Sequence, residues 1–137
     1  MRYYLDTNIL YFLLFEPDSL DADVREILVD YSNRLYTSSV CVMELVQLIV
    51  RYNESRKKPV DPASVFEGLD SVHVEIVYQS SHHLRVYASM PVLHSDPNDR
   101  IIIAQAVADK MPLISSDRQF PKYQAKIPGF NFILNKR

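Results

Sequence analysis

Two short apolar runs, far apart in the chain, each end at an aspartate, and this placement constrains the fold more than any other feature. Asp6 follows the run Tyr3-Tyr4-Leu5, and Asp117 follows residues 112–116. Short apolar runs bounded by turn-forming residues are typical of buried strands. If the two runs are neighbouring parallel strands, both carboxylates lie at one edge of the sheet, because the strands end there together.

The rest of the chain alternates between strand and helix patterns. A stripe of Val24, Ile27, Leu28 and Tyr31, for example, has the spacing of an amphipathic helix, and Asp18 or Ser19 supplies its start. Alternating strands and helices favour a parallel sheet with helices on both faces. We therefore predict a three-layer α/β/α sandwich with a mostly parallel five-stranded sheet. The predicted strands are 3–5, 35–37, 72–78, 113–115 and 130–134, and the other predicted helices are 9–15, 38–55, 62–69, 80–90 and 96–110.

Composition narrows the classes of function. A chain of 137 residues has the length of one domain, so we predict a single domain over 1–137. The only glycines, Gly68 and Gly129, exclude a glycine-rich phosphate loop. No run is long and apolar enough for a membrane span, and the lone Cys41 fits a reducing compartment, so we expect a cytoplasmic protein. With a formal net charge of −2, any nucleic-acid binding must rest on a local patch.

Three further acids are predicted to reach the edge that holds Asp6 and Asp117. Glu44 lies early in the helix that leaves the second strand, and Asp96 and Asp99 begin the helix before the fourth. Each acid has a structural alternative. Asp6 and Asp117 are common turn formers. Asp96 is a natural N-cap, which is the role we prefer for it. The Asp99 carboxylate, in the first turn, interacts favourably with the helix dipole. Glu44, on a mainly apolar face, could form a structural salt bridge.

A cluster of these carboxylates indicates a metal site. Two like charges about 4 Å apart repel by roughly 4 kcal/mol at an effective dielectric constant near 20. Such a cluster either takes up protons or binds a cation. Oxygen ligands suit Mg²⁺ or Mn²⁺ better than zinc. Because Mg²⁺ often shares its shell with substrate phosphates, phosphodiester hydrolysis is the predicted chemistry.

Four segments around the acids carry a resemblance to a known family. They are residues 5–10 (LDTNIL), 43–45 (MEL), 94–106 (HSDPNDRIIIAQA) and 114–120 (ISSDRQF). In order and separation they resemble the PIN-domain nucleases, in particular the VapC-type toxins of bacterial toxin–antitoxin pairs, over nearly the whole chain. Segment 94–106 is the most specific of the four. Ser95 and Asn98 depart from the common pattern, which bears on substrate preference and not on metal chemistry.

The resemblance implies a PIN-like fold and a Mg²⁺- or Mn²⁺-dependent endoribonuclease that leaves a 5′-phosphate and a 3′-hydroxyl. Its catalytic, metal-binding quartet maps onto Asp6, Glu44, Asp99 and Asp117, with Asp96 as an accessory metal-binding acid. Polar partners that position water or ligands would be Thr7, Asn8, Ser115 and Ser116.

Substrate and protein partners are also expected. Arg100 and Arg118 lie close in sequence to the acids and are the better candidates for contacting RNA phosphates. The run 56–58 fits a solvated helix end, and His82 and His83 fit surface positions. Segment 9–15 is too apolar for one short helix to bury completely. In VapC-like proteins such surfaces serve a homodimer and an antitoxin's hydrophobic helix, and we expect both partners here.

Two alternatives remain open. The chain could be a non-catalytic PIN-like module whose acids bind a stabilising cation, although a complete quartet argues against lost catalysis. It could also be an RNA-processing nuclease without an antitoxin. A haloacid-type phosphatase is disfavoured, because Asn8 stands where its second aspartate is needed.

Overall fold

A single parallel sheet forms the centre of the molecule. The computed structural model describes residues 1–93 and 96–137, so His94 and Ser95 of the family-like segment lie outside the described residues. The sheet has the order β3-β2-β1-β4-β5, and every pairing between these strands is parallel, which confirms the predicted sheet. The strands are β1 (Arg2–Leu5), β2 (Arg34–Ser38), β3 (Val74–Val77), β4 (Leu113–Ser115) and β5 (Phe132–Leu134).

Helices connect the strands. The chain runs outward from β1 to β2 and β3, then returns to β4 and β5 on the other side of β1. Because parallel crossovers are right-handed, this reversal puts helices on both faces, and the predicted three-layer sandwich is confirmed. None of the helices in the described ranges is long and apolar enough to cross a membrane. The helices are α1 (Thr7–Phe15), α2 (Ala22–Val29), α3 (Ser39–Asn53), α4 (Ser64–Ser71), α5 (Ser81–Ser89), α6 (Pro97–Asp109) and α7 (Phe120–Gln124).

Local chemistry explains where the longer helices begin and why the sheet is buried. Ser38 caps α3 by accepting a hydrogen bond from the Val40 N–H, and Ser80 caps α5 in the same way. Leu5 and Leu113, on the two central strands, have no exposed surface. The core therefore lies on both sides of β1 and β4, and it holds the carboxyl ends of these two strands in place.

Three local predictions differ from the structure. Helix α2 begins at Ala22 with Asp21 as its N-cap, and the predicted start at Asp18 lies instead in a 3-10 turn, Pro17–Ser19. Tyr31 lies beyond the end of α2 and is 94% exposed, so it does not belong to the apolar stripe. His83 is buried, not at the surface. The short helix α7 was not predicted, because its five residues are too few to show a helical period.

Candidate active site

The first predicted pair of acids lies where the strand order reverses. Strands β1 and β4 are neighbours, with Leu5 opposite Ile114, although residues from most of the chain separate them in sequence. Asp6 follows β1 directly, and its N–H donates to the Ile114 carbonyl at 3.0 Å. Asp117 lies two residues beyond the end of β4. Open α/β sheets bind ligands at such a reversal, outside the carboxyl ends of the strands.

Asp6 is held rigidly in a buried position. Only 6% of the residue is exposed. Its Oδ1 accepts from the Thr7 N–H at 2.8 Å and from the Cys41 thiol at 3.7 Å, and its Oδ2 accepts from the Ser115 hydroxyl at 2.7 Å. Burial raises the pKa of Asp6, the charge of Asp117 adds to the rise, and the hydrogen bonds oppose it. The negative charge therefore lacks water and is only partly compensated by dipoles.

The predicted accessory residues form one hydrogen-bond network beside Asp6. The Ser115 hydroxyl, fully buried, accepts from the Asp117 N–H at 3.0 Å and from the Asn8 side-chain amide at 3.3 Å. The Asn8 side-chain oxygen accepts from the Ser116 N–H at 3.0 Å. The network ties the start of α1 to the loop that leaves β4. It fixes the backbone that carries Asp6 and Asp117.

Glu44 joins this group from α3. It is half-buried, and its Oε1 accepts from the Thr7 hydroxyl at 3.0 Å. Burial raises the pKa of Glu44, the Thr7 bond opposes the rise, and the charges of Asp6 and Asp96 add to it. Within residues 1–93 and 96–137, no cationic side chain lies within salt-bridge distance of Glu44. The structural salt bridge considered for Glu44 therefore has no cation among the residues described.

The start of α6 supplies the last two acids. Asp96 is exposed and is the N-cap of α6, with its Oδ1 accepting from the Asn98 N–H at 2.7 Å. Asp99, in the first turn, is half-buried. Burial is the largest cause that raises the pKa of Asp99 from 3.8 to about 7, and the charges of the four other acids follow. The four other acids are therefore close enough to Asp99 to disfavour its ionisation.

The donor set fits a hard divalent cation. All five acids offer carboxylate oxygens, and three of them have raised pKa values because burial and neighbouring charges disfavour ionisation. As placed, the described residues do not bring three acidic, histidine or cysteine side chains together around one ion. Mg²⁺ commonly binds through one or two carboxylates and keeps several waters, so direct contact with all four quartet acids is not required.

The two arginines predicted to bind substrate have different surroundings. The Arg100 guanidinium donates to the Pro91 carbonyl at 2.8 Å and lies 5.1 Å from the centre of the Tyr87 ring. It is thus engaged with the connection between α5 and α6. Arg118 is exposed next to Asp117 and donates to the Lys136 carbonyl at 3.4 Å. Substrate binding remains a prediction for both residues.

Two residues near the site were not identified from the sequence. The buried thiol of Cys41 contacts Asp6, and Asn135 is buried just beyond β5, where its amide donates to the Ser116 hydroxyl at 2.9 Å. The position of Asn135 at the carboxyl end of a strand was the available signal. A single polar residue forms no pattern, however, so Asn135 does not stand out in the sequence.

Comparisons with known proteins agree with this architecture. No curated protein sequence matches the chain. The structure of VapBC2 from Rickettsia felis, bound to a promoter DNA fragment, is similar to this chain. The sequence identity is 22%, the TM-score is 0.70 and the alignment covers 98% of each chain. DNA-bound VapBC from Salmonella typhimurium is 20% identical with a TM-score of 0.69, covering 97% of each chain. A toxin–antitoxin complex from Klebsiella pneumoniae is 20% identical with a TM-score of 0.65, covering 98% of each chain.

At these identities the solved structures show a shared fold. The match to a family is independent of them: the family model described as PIN domain matches residues 3–126, which include most of β1, all of β2 to β4 and all five acids. The chain belongs to the PIN-domain family.

Proposed function

We propose that this protein is a VapC-like toxin that hydrolyses RNA phosphodiester bonds with Mg²⁺ or Mn²⁺. The observation that carries the proposal is the group formed by Asp6, Glu44, Asp99 and Asp117 at the reversal of strand order. Three of these carboxyls have raised pKa values. Burial is the largest cause of each rise and the neighbouring carboxylates add to it, and a bound cation would offset both by favouring the ionised forms. We also infer that residues 1–137 act as a single domain.

In the proposed mechanism Asp6, Glu44, Asp99 and Asp117 would hold the ion, with Asp96 as an accessory acid. When bound, the ion would lower the pKa of water and neutralise charge on the attacked phosphate. The protein's part is to orient the carboxylates before the substrate arrives. Ser115 and the Thr7 N–H fix the two oxygens of Asp6, and the Thr7 hydroxyl fixes Glu44. These contacts keep the ligand oxygens from rotating, which favours metal affinity.

An antitoxin is the proposed protein partner. An apolar groove of about 360 Å³ runs between α3, α4 and β3. Met43, next to Glu44 in sequence, is 47% exposed there, and Phe66 on the other wall is 48% exposed. The solved structures similar to this chain include VapBC toxin-antitoxin complexes, which supports an antitoxin as the partner, and the apolar lining of the groove favours an apolar segment of it as the occupant. A Met43→Glu variant should lose the antitoxin and keep its RNA cleavage.

A homodimer remains a prediction from the apolar segment in α1. Ile9 and Leu10 are fully buried in the core, whereas Phe12, Leu13 and Phe15 are only partly buried against it. The apolar surface left on α1 is thus smaller than its sequence suggests. Light scattering of the purified chain measures its mass in solution and tests the dimer.

A cleavage assay with metal removal and add-back tests the enzyme. The wild type should cut RNA with Mg²⁺ or Mn²⁺, lose activity in EDTA and regain it when metal is restored. Asp6→Asn should abolish cleavage, and the exposed Asp70→Asn, which makes the same change in charge, should not. Equal cleavage by wild type and Asp6→Asn would overturn the proposal. Metal-dependent thermal stabilisation without cleavage of any RNA would instead favour a non-catalytic cation-binding module.

A cellular assay separates a toxin from an RNA-processing nuclease. Expression of a toxin should arrest growth, and co-expression of the protein encoded in the neighbouring reading frame should restore it. Growth unaffected by the active nuclease would favour an RNA-processing role without an antitoxin.

A further inference from the structure

Asn135 is an almost fully buried polar side chain that connects three parts of the chain. It is 1% exposed. Its side-chain oxygen accepts from the Asp21 N–H at 2.7 Å, and its amide donates to the Ser19 carbonyl at 3.0 Å and to the Ser116 hydroxyl at 2.9 Å. Its backbone N–H donates to the Ser115 carbonyl at 2.8 Å. The chain beyond β5 is therefore anchored to the loop that carries Asp117.

This anchor places basic residues next to the loop that carries Asp117. The Lys136 N–H donates to the Asp21 carboxylate at 2.7 Å, and the Asn135 amide reaches the Arg137 carbonyl at 3.4 Å. Arg118, the residue after Asp117, donates to the Lys136 carbonyl at 3.4 Å. We name Arg118, Lys136 and Arg137 the basic edge. Hydrogen bonds hold the backbone of this edge against the loop that carries Asp117, one of the quartet acids.

The side chains of the basic edge are available to a ligand. All three residues are exposed. Among the residues that the structure describes, none of their charged groups lies within 4 Å of a carboxylate. The protein as a whole carries a formal net charge of −2, and the site itself is acidic. Both features repel RNA, so cations close to the site are needed to bring a phosphate chain there.

We propose that the basic edge binds backbone phosphates of the RNA substrate beside the scissile bond. This inference rests on the proposed ribonuclease function and names residues that would hold the substrate there. Contacts to phosphates carry no base preference, so the edge contributes affinity and leaves sequence choice to other residues.

The test measures RNA binding in a cleavage-inactive background. The Asp6→Asn protein is compared with and without Lys136→Gln and Arg137→Gln, using a fluorescent 12-nucleotide RNA of mixed sequence at several salt concentrations. The double variant should raise Kd about tenfold. It should also flatten the slope of log Kd against log salt by about 1.4, since each single-strand phosphate contact contributes roughly 0.7.

The matched control is Lys57→Gln with Lys58→Gln. Both lysines are exposed in the connection after α3, and the end of α3 lies about 14 Å along the helix axis from Glu44. This control should leave Kd and salt slope unchanged. If the two double variants bind RNA with the same Kd and salt slope, the proposed role of the basic edge is wrong.

A second variant tests the anchor. Asn135→Ala should weaken RNA binding as the double variant does, because it frees the backbone of Lys136 and Arg137. Asn53→Ala also removes side-chain hydrogen bonds to the backbone, the two to Val60, but away from the site, and it should not weaken binding. If Asn135→Ala does not fold, the proposal is tested by the double variant alone, because that variant changes only exposed side chains.

Failure of the inference and failure of the proposed function give different results. A wild type that cleaves RNA with metal, combined with no effect of the double variant, overturns only the basic edge. If the wild type binds RNA through this edge but shows no metal-dependent cleavage, only the proposed nuclease function is overturned. A wild type that neither binds nor cuts RNA overturns both.

Discussion

Thr7 holds Glu44 by a hydrogen bond of 3.0 Å from its hydroxyl, while its backbone N–H holds Asp6 at 2.8 Å. The two acids come from different elements, the end of β1 and the second turn of α3. Both have raised pKa values, and the two contacts from Thr7 are among the causes that oppose the rise. One residue at the start of α1 therefore sets the relative position of two proposed metal ligands.

Thr7→Val is expected to weaken metal binding. Valine keeps the shape of threonine and the backbone contact to Asp6 but removes the donor to Glu44. Loss of such a supporting contact typically lowers metal affinity 10- to 100-fold. Calorimetric titration with Mn²⁺ at pH 7 should therefore show about a tenfold loss, and Thr7→Ser, which retains the hydroxyl, should recover most of it. Unchanged Mn²⁺ affinity in Thr7→Val would mean that Glu44 needs no fixed orientation.

The metal-free protein should lose stability as the pH rises. Asp99 has its pKa raised from 3.8 to about 7, chiefly by burial. A carboxyl whose pKa is higher in the folded state binds more protons there, so its contribution to stability is complete below pH 4 and is lost through pH 7. Thermal unfolding in EDTA should give a lower Tm at pH 8 than at pH 5.5.

Asp99→Asn provides the comparison for this pH dependence. The amide does not ionise, so the variant should show a flatter change of Tm with pH, whereas Asp70→Asn, at an exposed position, should behave as the wild type. Parallel curves for wild type and Asp99→Asn would show that other groups cause the dependence.

Added Mg²⁺ should reverse the effect, and most strongly at high pH. Protons and the cation compete for the same carboxylates, so the ion binds best when they are ionised. The increase in Tm on adding Mg²⁺ should be larger at pH 8 than at pH 6. An increase that is equal at both pH values would place the bound ion away from Asp99.

The positions of the acids could be predicted from the sequence because they depend on few facts. Asp6 and Asp117 each follow an apolar run, and parallel strands place both runs' ends at one edge. Of the basic edge, Arg118 could be predicted from its place next to Asp117, but Lys136 and Arg137 could not. They are anchored near the loop that carries Asp117 through the hydrogen bond from Asn135 to Ser116, a contact between distant parts of the chain that has no local pattern.

Long-range contacts also explain the local differences. Both Asp18 and Asp21 are good N-cap residues. Asp21 becomes the cap of α2, and it bonds to Asn135 and Lys136 as well, so residues from the other end of the chain favour this register. A prediction that considers the neighbours in sequence alone cannot distinguish the two aspartates.

His82 and His83 look equivalent in sequence, but only His83 is buried. Its Nδ1 accepts from the Ser80 N–H at 3.0 Å, so its Nε2 carries the proton and donates to the Asp109 carboxylate at 2.8 Å. Tyr4 donates to the same carboxylate oxygen. The network joins α5, α6 and β1 outside the proposed metal site.

His83→Ala should therefore lower the free energy of unfolding by about 2 kcal/mol, because it removes a buried side chain together with its hydrogen bonds to the Ser80 N–H and the Asp109 carboxylate. His82→Ala should change it by less than about 0.5 kcal/mol, as is usual at the surface. Urea denaturation measures both variants, and neither should alter the affinity for Mn²⁺. Equal stability of the two variants would show that the bonds of His83 contribute nothing net, and a loss of Mn²⁺ affinity in His83→Ala would couple this network to the quartet.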